Sequence, residues 1–515
     1  MKWVSCRHQR SATDPLIWNT LQLKSIEDVK SFRLACKQTD EVLATDLLRR
    51  ITVDINTETF ERELRKLQYL ASAALKGSSS RLAIQGIREI DIKSLSPALN
   101  PKEYWSWQNN PGLETLHYEA ILKKCLYKAL SSLTTVRTIR CVLMAPRRKF
   151  HWRYIDDRWL PAQKDSEWAQ IAIVNALKTF SHLQNLSVEL RYCRIEIPFH
   201  LFTALKHVSL HCVGRENSFY YRGKTIENLI KMISESPRLE SIDLTNNGGF
   251  PSTKSLIRSL HQLFERYPKD VSPLRLKHLS LTSFLVRLDD ETVIRHLRYL
   301  TSLSLKDILH PLSPYPSGHD NDNPIFKDIS ETSNRWGSSC EQIWGMILNA
   351  NLRLEEISVD NIPSTFVEYI GSYSGLKKLI VFVERFQDEV ASERVGKKFY
   401  EALEMHASSI EELDVRAYFE GVWCFGHHNK TLFSTFKNLK TLSVRLQSSD
   451  FIRRSELEHS SRQDIIVSSF QAQSFQWTDK KYIRSIGSPD WHRCEIYAST
   501  PGVICVHFQY RTQPS

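Results

Sequence analysis

The stretch Leu239-Glu-Ser-Ile242-Asp-Leu244-Thr-Asn-Asn247 decides the fold, because its apolar residues follow the order L-x-x-L-x-L-x-x-N. Ile242 and Leu244 are two positions apart, so they lie on the same face of a strand, whose side chains alternate. Leu239 comes earlier and packs into the turn that leads to the strand. The stretch therefore predicts a strand with one buried face that belongs to a stack of similar strands.

The same spacing recurs along most of the chain, which is typical of leucine-rich repeats. Helical patterns lie between the copies, and a strand that returns parallel to its predecessor needs such a crossover. The predicted fold class is α/β, a leucine-rich-repeat solenoid with a curved parallel sheet and outer helices. The other copies are Leu133/Val136/Ile139, Leu183/Leu186/Val188, Leu205/Val208/Leu210, Leu276/Leu279/Leu281, Leu300/Leu303/Leu305, Leu354/Ile357/Val359, Leu376/Leu379/Val381, Ile410/Leu413/Val415 and Leu439/Leu442/Val444, with a weaker one at Ile87/Ile90/Ile92.

Two crossover segments have apolar residues at helical spacing, and we expect these residues to face the core. The second segment begins after Asp165-Ser166, which are suitable N-caps. The first set is Tyr118, Ile121, Leu122, Cys125 and Ala129, and the second set is Trp168, Ile171, Ala172 and Leu177.

The domain organisation follows from where the repeats begin. We expect a short helical segment over residues 1–55 and an irregular repeat array over residues 56–515. Polar insertions near 311–339 and 447–473 are predicted as loops, since they lack apolar periodicity. The last two stretches, which begin at Trp491 and Gly502, alternate as strands, and we expect them to cap the array.

The N-terminal segment has helix-start signals of its own. Ser25-Ile-Glu-Asp28 has the form of a capping box with Asp in place of Glu, and Thr39-Asp-Glu-Val42 is a second such start. Ile51-Thr-Val53-Asp-Ile55 then alternates as a strand. Two short helices and one strand cannot form a stable domain alone, so we expect them to dock on the first repeat or on a partner.

This segment resembles the second half of an F-box, in the version found in fungal F-box proteins with leucine-rich repeats. The residues that carry the resemblance are Leu23-Lys-Ser-Ile26, Phe32-Arg-Leu-Ala-Cys-Lys37, Leu43-Ala-Thr45, Leu47-Leu-Arg-Arg-Ile-Thr52 and the later Tyr104-Trp105-Ser-Trp107. The family usually begins with a Leu-Pro-x-Glu-Ile helix, of which only Asp14-Pro15-Leu16-Ile17 remains here. The F-box is therefore degenerate or truncated.

The resemblance implies a non-enzymatic substrate receptor of a cullin-RING (SCF-type) ubiquitin ligase. In that family the F-box helices bind a Skp-type adaptor and the repeats hold the target protein. The alternatives are that these residues only pack the segment onto the first repeat, and that the repeats form a scaffold without any link to ubiquitin. The adaptor-contact candidates that match the family are Leu23, Ile26, Val29, Phe32, Leu34 and Cys36.

One basic and aromatic cluster is a candidate partner-contact site, within a chain whose net charge is +11. Trp, Tyr and Arg dominate protein-binding hot spots, whereas guanidinium groups and aromatic planes also bind nucleic acid. Plain packing at the edge of a repeat is a third interpretation, and Asp156 and Asp157 offset part of the charge. The candidates are Arg147, Arg148, Trp152, Tyr154 and Trp159.

Signals for chemistry are weak, so we expect no enzyme, no cofactor and no metal. Gly371-Ser-Tyr-Ser-Gly375 has Tyr373 where a nucleophile elbow needs Ser, and it is predicted as a loop before a strand. Cys424, His427 and His428 form one clump without a second. The ten cysteines include no CxxC pair and are expected to be reduced. Without a membrane span or an export signal, the expected compartment is cytoplasm or nucleus.

Overall fold

The structure is a computed structural model, and it describes the strands, helices and turns but not every segment of the chain. By contacts the chain divides into two compact units, Met1–Leu205 and Lys206–Ser515. The described residues are 49–56, 59–73, 84–95, 113–144, 168–191, 195–213, 223–247, 259–288, 290–308, 338–383, 389–417, 421–426, 428–444, 491–500 and 503–510.

The first unit contains four parallel strands that pair in chain order. They are β1 (Arg50–Ile55), β2 (Glu89–Leu95), β3 (Thr138–Met144) and β4 (Asn185–Arg191). The described helices between them are α1 (Phe60–Ala73), α2 (Leu113–Ser131) and α3 (Trp168–Leu177), and a 3-10 turn at Phe199–Leu201 follows β4.

The second unit continues the same plan with eight parallel strands and ends in an antiparallel hairpin that pairs with the last of them. The strands are β5 (His207–Val213), β6 (Ser241–Asn247), β7 (His278–Thr282), β8 (Ser302–Lys306), β9 (Glu356–Val359), β10 (Lys378–Val383), β11 (Glu412–Ala417), β12 (Thr441–Val444), β13 (Trp491–Thr500) and β14 (Val503–Tyr510). The helices are α4 (Gly223–Glu235), α5 (Leu260–Phe264), α6 (Arg295–Leu297, after a π turn at Asp290–Ile294), α7 (Cys340–Asn349), α8 (Ser364–Gly371), α9 (Glu389–Leu403, followed by a 3-10 turn at Glu404–His406) and α10 (Lys430–Thr435).

The apolar spacing found in the sequence forms the core. Ile242 and Leu244 of β6 are buried, and they stand in register with Leu279 and Leu281 of β7. The predicted apolar positions of neighbouring strands therefore stack in rows on one side of each sheet, while the crossover helices cover them. This arrangement confirms the predicted α/β leucine-rich-repeat fold, and the strands predicted at the end of the chain are present as β13 and β14.

Within each unit, neighbouring parallel strands are joined at their start by two backbone hydrogen bonds to one carbonyl. The N–H groups of Lys277 and His278 both donate to the carbonyl of Glu240, at 2.8 and 3.1 Å. In the first unit Arg88 and Glu89 donate in the same way to the carbonyl of Arg49. We call this line of residues, one before each strand, the strand-start row.

The helix prediction is confirmed for three of the five α2 residues and is partly wrong for α3; Ile121 of α2 is half-buried, and the side chain of Tyr118 lies outside the described part of the chain. Leu122, Cys125 and Ala129 of α2 are buried as expected. In α3, however, Ile171 is 44% exposed, while Ile173 is 1% exposed. The α3 sequence is apolar on nearly every side, so its periodicity could not select the face that meets the sheet. The residues of α3 that are buried are Gln170, Ile173, Val174, Ala176 and Leu177.

Cys125, Cys141, Cys212, Cys340 and Cys424 are free thiols, and all of them except Cys340 are buried. Burial raises the pKa of the Cys125 thiol and, to about 11, that of Cys340. These thiols are therefore protonated at neutral pH and behave as small apolar side chains. None of the described helices is long and apolar enough to cross a membrane.

Candidate partner-binding surfaces

Strands β5 to β10 each have one buried side and one side that is half-buried or exposed. These latter sides, together with the exposed Arg416 of β11, form what we call the open strand face. In β7 and β8 the second and fourth residues are buried, and the residues between them are half-buried or exposed. The open strand face is thus built from alternate residues of each strand. The alternation of side chains along a strand puts these residues on this face whether they are polar or apolar.

One part of this face carries an aromatic ring between two cations. Phe382 of β10 stands in register with Arg416 of β11, whose guanidinium carbon lies 4.7 Å from the ring centroid. The ammonium of Lys306 in β8 lies 5.3 Å from the same centroid. Cations near a ring face attract it by about 0.5–1 kcal/mol at exposed sites. Together with Ile380 and Asp414, these residues form what we call the Phe382 cluster.

Asp414 fixes the position of Arg416. The Nε of Arg416 donates to Oδ2 of Asp414 at 2.7 Å, and Nη2 lies 2.5 Å from the same oxygen. The other oxygen, Oδ1, is buried and has no hydrogen-bond partner within the described part of the chain. An unpaired buried acceptor costs about 1–3 kcal/mol, and the pairing of Oδ2 with Arg416 offsets part of this cost.

A second polar group on the open strand face centres on Asp243 of β6. Its Oδ2 binds Nε2 of His211 at 2.8 Å and accepts a hydrogen bond from Ser209 Oγ at 3.1 Å. Burial alone would raise the pKa of Asp243. The hydrogen bond and charge of His211 and the hydrogen bonds from Ser280 and Ser209 outweigh burial, so the pKa of Asp243 is lowered. The Ser and the His both bind the carboxylate, which is not the Ser-to-His arrangement that activates a nucleophile.

The first unit has a groove of about 670 Å³ between α2 and α3. Tyr127 and Ile171 line it and are each 44% exposed. Trp168 Nε1 donates to Glu119 Oε1 at 2.8 Å, and the ammonium of Lys123 lies 5.5 Å from the centre of the Trp168 ring. The apolar groove exists because the exposed face of α3 carries the residues that the sequence assigned to the core.

Both sets of binding residues proposed from the sequence lie outside the described residues. The adaptor-contact candidates Leu23, Ile26, Val29, Phe32, Leu34 and Cys36 precede residue 49, and the partner-contact candidates Arg147, Arg148, Trp152, Tyr154 and Trp159 fall between 144 and 168. The insertion at 447–473, and 311–337 of the other insertion, also lie outside. All of these assignments stay predictions.

The weaker chemical signals have structural explanations where they are described. Tyr373 is buried, and its hydroxyl donates to the carbonyl of Leu354 at 3.0 Å. Gly375 has φ of +109° in the loop before β10, as expected for a loop. Cys424 is buried, and His428 Nε2 donates to the carbonyl of Val422 at 2.8 Å.

The sequence analysis missed the Phe382 cluster, although a signal for it was present. The run Leu379-Ile-Val-Phe-Val383 is apolar at five successive positions. A half-buried strand needs only alternate apolar residues, so two of the five, Ile380 and Phe382, face the open side.

Comparisons with known proteins add little to this description. No protein-family model and no curated protein matches the chain. Among solved structures it is similar to a chain of the crystal structure of a TLR13–ssRNA13 complex, with 12% sequence identity and a TM-score of 0.26. The match covers 70% of this chain and 36% of that chain. The fold assignment rests on strand order and register, not on this likeness.

Stacked repeats of this kind expose extended surfaces on which other proteins bind. The fold is therefore suited to a protein-interaction scaffold.

Proposed function

We propose that the protein is a non-enzymatic interaction scaffold whose open strand face binds a partner protein through the Phe382 cluster. The single observation that supports this proposal is the ring of Phe382 held between Lys306 and Arg416 on the open strand face. Aromatic and arginine side chains carry most of the energy of protein interfaces, and they lie at the centre of the contact area.

The surroundings of the cluster fit that role. Ser304 and Ser358 stand in register on β8 and β9, next to the cluster strand β10. These short hydroxyl side chains leave room for a partner to approach the half-buried ring of Phe382.

Site-specific photo-crosslinking tests this proposal. A benzophenone amino acid at position 382 is expected to capture a partner protein, and the same group at position 299 is the matched control. Tyr299 is 54% exposed and also carries a cation, Arg275, 5.4 Å from its ring centroid. It lies in the turn after α6 rather than on the open strand face.

The captured partner is then purified and its affinity measured. Phe382→Ala is expected to weaken binding about 30-fold, the loss typical of a hot-spot residue worth about 2 kcal/mol. Tyr299→Ala is expected to change it less than about twofold. Equal losses of affinity in the Phe382→Ala and Tyr299→Ala variants would contradict the proposal. So would a captured partner whose affinity does not change in Phe382→Ala.

We further propose that the scaffold is the substrate receptor of a cullin-RING ubiquitin ligase, acting in the cytoplasm or nucleus. The residues that support this are Leu23 to Cys36, through their resemblance to the second half of an F-box. The alternative is the same scaffold without an adaptor.

A pull-down with a purified Skp-type adaptor separates these two functions. Wild-type protein is expected to bind, and Phe32→Asp is expected to lose binding while its circular dichroism spectrum stays unchanged. Phe382→Ala serves as the control and is expected to keep adaptor binding. Absence of binding by the wild-type chain would favour the scaffold without ubiquitin linkage.

A further inference from the structure

The strand-start row differs sharply in charge between the two units. In the second unit the charged residues of the row alternate in sign, with the neutral Thr301 between Lys277 and Glu355, and six of them form ion pairs with their neighbours. The pairs Glu240–Lys277, Glu355–Lys377 and Glu411–Lys440 have N–O distances of 2.7, 2.8 and 2.5 Å. Each charge in these pairs is therefore neutralised by the repeat beside it.

In the first unit the corresponding residues are Arg49, Arg88, Arg137 and the neutral Gln184, so the three charges of the row are all positive. The backbone defines the correspondence, because Arg88 N donates to Arg49 O at 2.9 Å and Arg137 N donates to Arg88 O at 2.8 Å. Neighbouring strands are about 4.8 Å apart, so three like charges stand side by side. We call these three residues the arginine row.

Few of the described acidic side chains lie close enough to neutralise the positive charges of the arginine row. The Nε of Arg49 lies 3.8 Å from Glu89, and its side chain remains 68% exposed. Arg88 uses its guanidinium on the backbone carbonyls of Gln85 and Ile87. Among the described residues, no carboxylate forms an ion pair with Arg88 or Arg137.

The charge of the whole chain follows the same division. Residues 1–205 contain 31 Lys and Arg against 21 Asp and Glu, a net charge of +10. Residues 206–515 contain 38 against 37, a net charge of +1. The positive excess of the protein therefore belongs almost entirely to the unit that carries the arginine row.

We propose that the arginine row binds an acidic polypeptide segment of a partner protein. Carboxylates match the planar donor fork of arginine and pair with it more favourably than with lysine. On the open side of β1 to β4, the described residues include no aromatic ring, which single-stranded nucleic acid would need for base stacking. The proposal concerns a site in the first unit and stands independently of the Phe382 cluster in the second.

The test uses the full chain and a fluorescent oligo-glutamate of about ten residues, long enough when extended to cross three strands. Binding is measured by anisotropy at about 0.1 M salt, where charges about 10 Å apart are screened. The triple variant Arg49→Gln/Arg88→Gln/Arg137→Gln is expected to bind about tenfold more weakly. Oligo-glutamine is the neutral probe and is expected not to bind.

The matched control removes three positive charges from the second unit through Lys277→Gln/Lys377→Gln/Lys440→Gln. It is expected to change binding less than about twofold, because each of these lysines already has a glutamate partner. Thermal unfolding of both variants confirms that each is folded. Equal losses in the two triple variants would show attraction by net charge alone and would overturn the proposal.

A second probe, an oligouridine of similar charge, separates the two classes of polyanion. We expect it to bind more weakly than oligo-glutamate and to be insensitive to the arginine substitutions. Tighter oligouridine binding that depends on the arginine row would assign this surface to nucleic acid and would also overturn the proposal.

Discussion

His406 accepts a hydrogen bond from the backbone N–H of Leu376 through Nδ1, at 3.3 Å, and donates from Nε2 to the carbonyl of Ile370 at 2.8 Å. A carbonyl can only accept, so the neutral ring carries its proton on Nε2. Protonation of Nδ1 would place two donors against each other in a buried site. A second buried histidine, His296, accepts in the same way from the N–H of Leu274 at 3.0 Å.

These two histidines predict that the fold loses stability in mild acid. Burial lowers the pKa of His406 and, with the charge of Arg295, lowers that of His296 from 6.5 to about 4. Between about pH 6.5 and 4 the unfolded chain therefore binds more protons than the folded chain, so stability falls as the pH falls through this window. For His296 the loss amounts to at most about 3 kcal/mol.

Chemical denaturation of wild type and His296→Asn at pH 7 and pH 5 checks this prediction. Asparagine offers Leu274 an acceptor that does not titrate, so the variant is expected to be less stable at pH 7 but to lose less on acidification. A pH dependence identical to wild type would show that His296 is not a source of the acid sensitivity.

Two helical glycines predict opposite effects of the same substitution. A Cβ on Gly396 in α9 would overlap Val422 and lie 3.2 Å from Cε2 of Trp423, whereas a Cβ on Gly345 in α7 meets nothing within 4 Å. Gly396→Ala is expected to destabilise the protein by about 1–3 kcal/mol through overpacking. Gly345→Ala is expected to stabilise it by up to about 1 kcal/mol through helix propensity. Urea unfolding of both variants measures the two free energies.

The orientation of α3 makes a prediction that contradicts the sequence pattern. Ile173→Ala is expected to cost about 2–5 kcal/mol, because Ile173 is 1% exposed and its loss leaves a cavity. Ile171→Ala is expected to cost less than about 1 kcal/mol, because Ile171 is 44% exposed. The reverse order of free energies of unfolding would mean that α3 presents its other face to the sheet.

The arginine row predicts a stabilising charge reversal. Arg88→Glu places a negative charge between Arg49 and Arg137 and reproduces the alternation of the second unit. It is expected to stabilise the protein by a few tenths of a kcal/mol, the typical gain from exposed pairs, and less at high salt. The comparison is made by denaturation in low and high salt, with Lys377→Glu, which should destabilise, as its counterpart.

The sequence was sufficient to predict the strands but not to predict the candidate binding surfaces. Apolar residues such as Ile242 and Leu244 repeat at fixed spacing. Because alternate residues of a strand face the same side, this spacing is enough to place them in the core. The face of α3 could not be chosen, since an evenly apolar helix has no preferred side. The arginine row joins residues 49, 88 and 137, whose alignment depends on backbone hydrogen bonds between repeats and not on any local motif.

The hairpin of β13 and β14 reverses the direction of the sheet at β12. A new repeat of the same design needs a parallel neighbour, because its crossover helix returns the chain to the same end of the sheet. Duplication of a repeat is therefore compatible with the fold only among the parallel strands β5 to β12, before the hairpin. The hairpin thus constrains where such a protein can gain repeats in evolution.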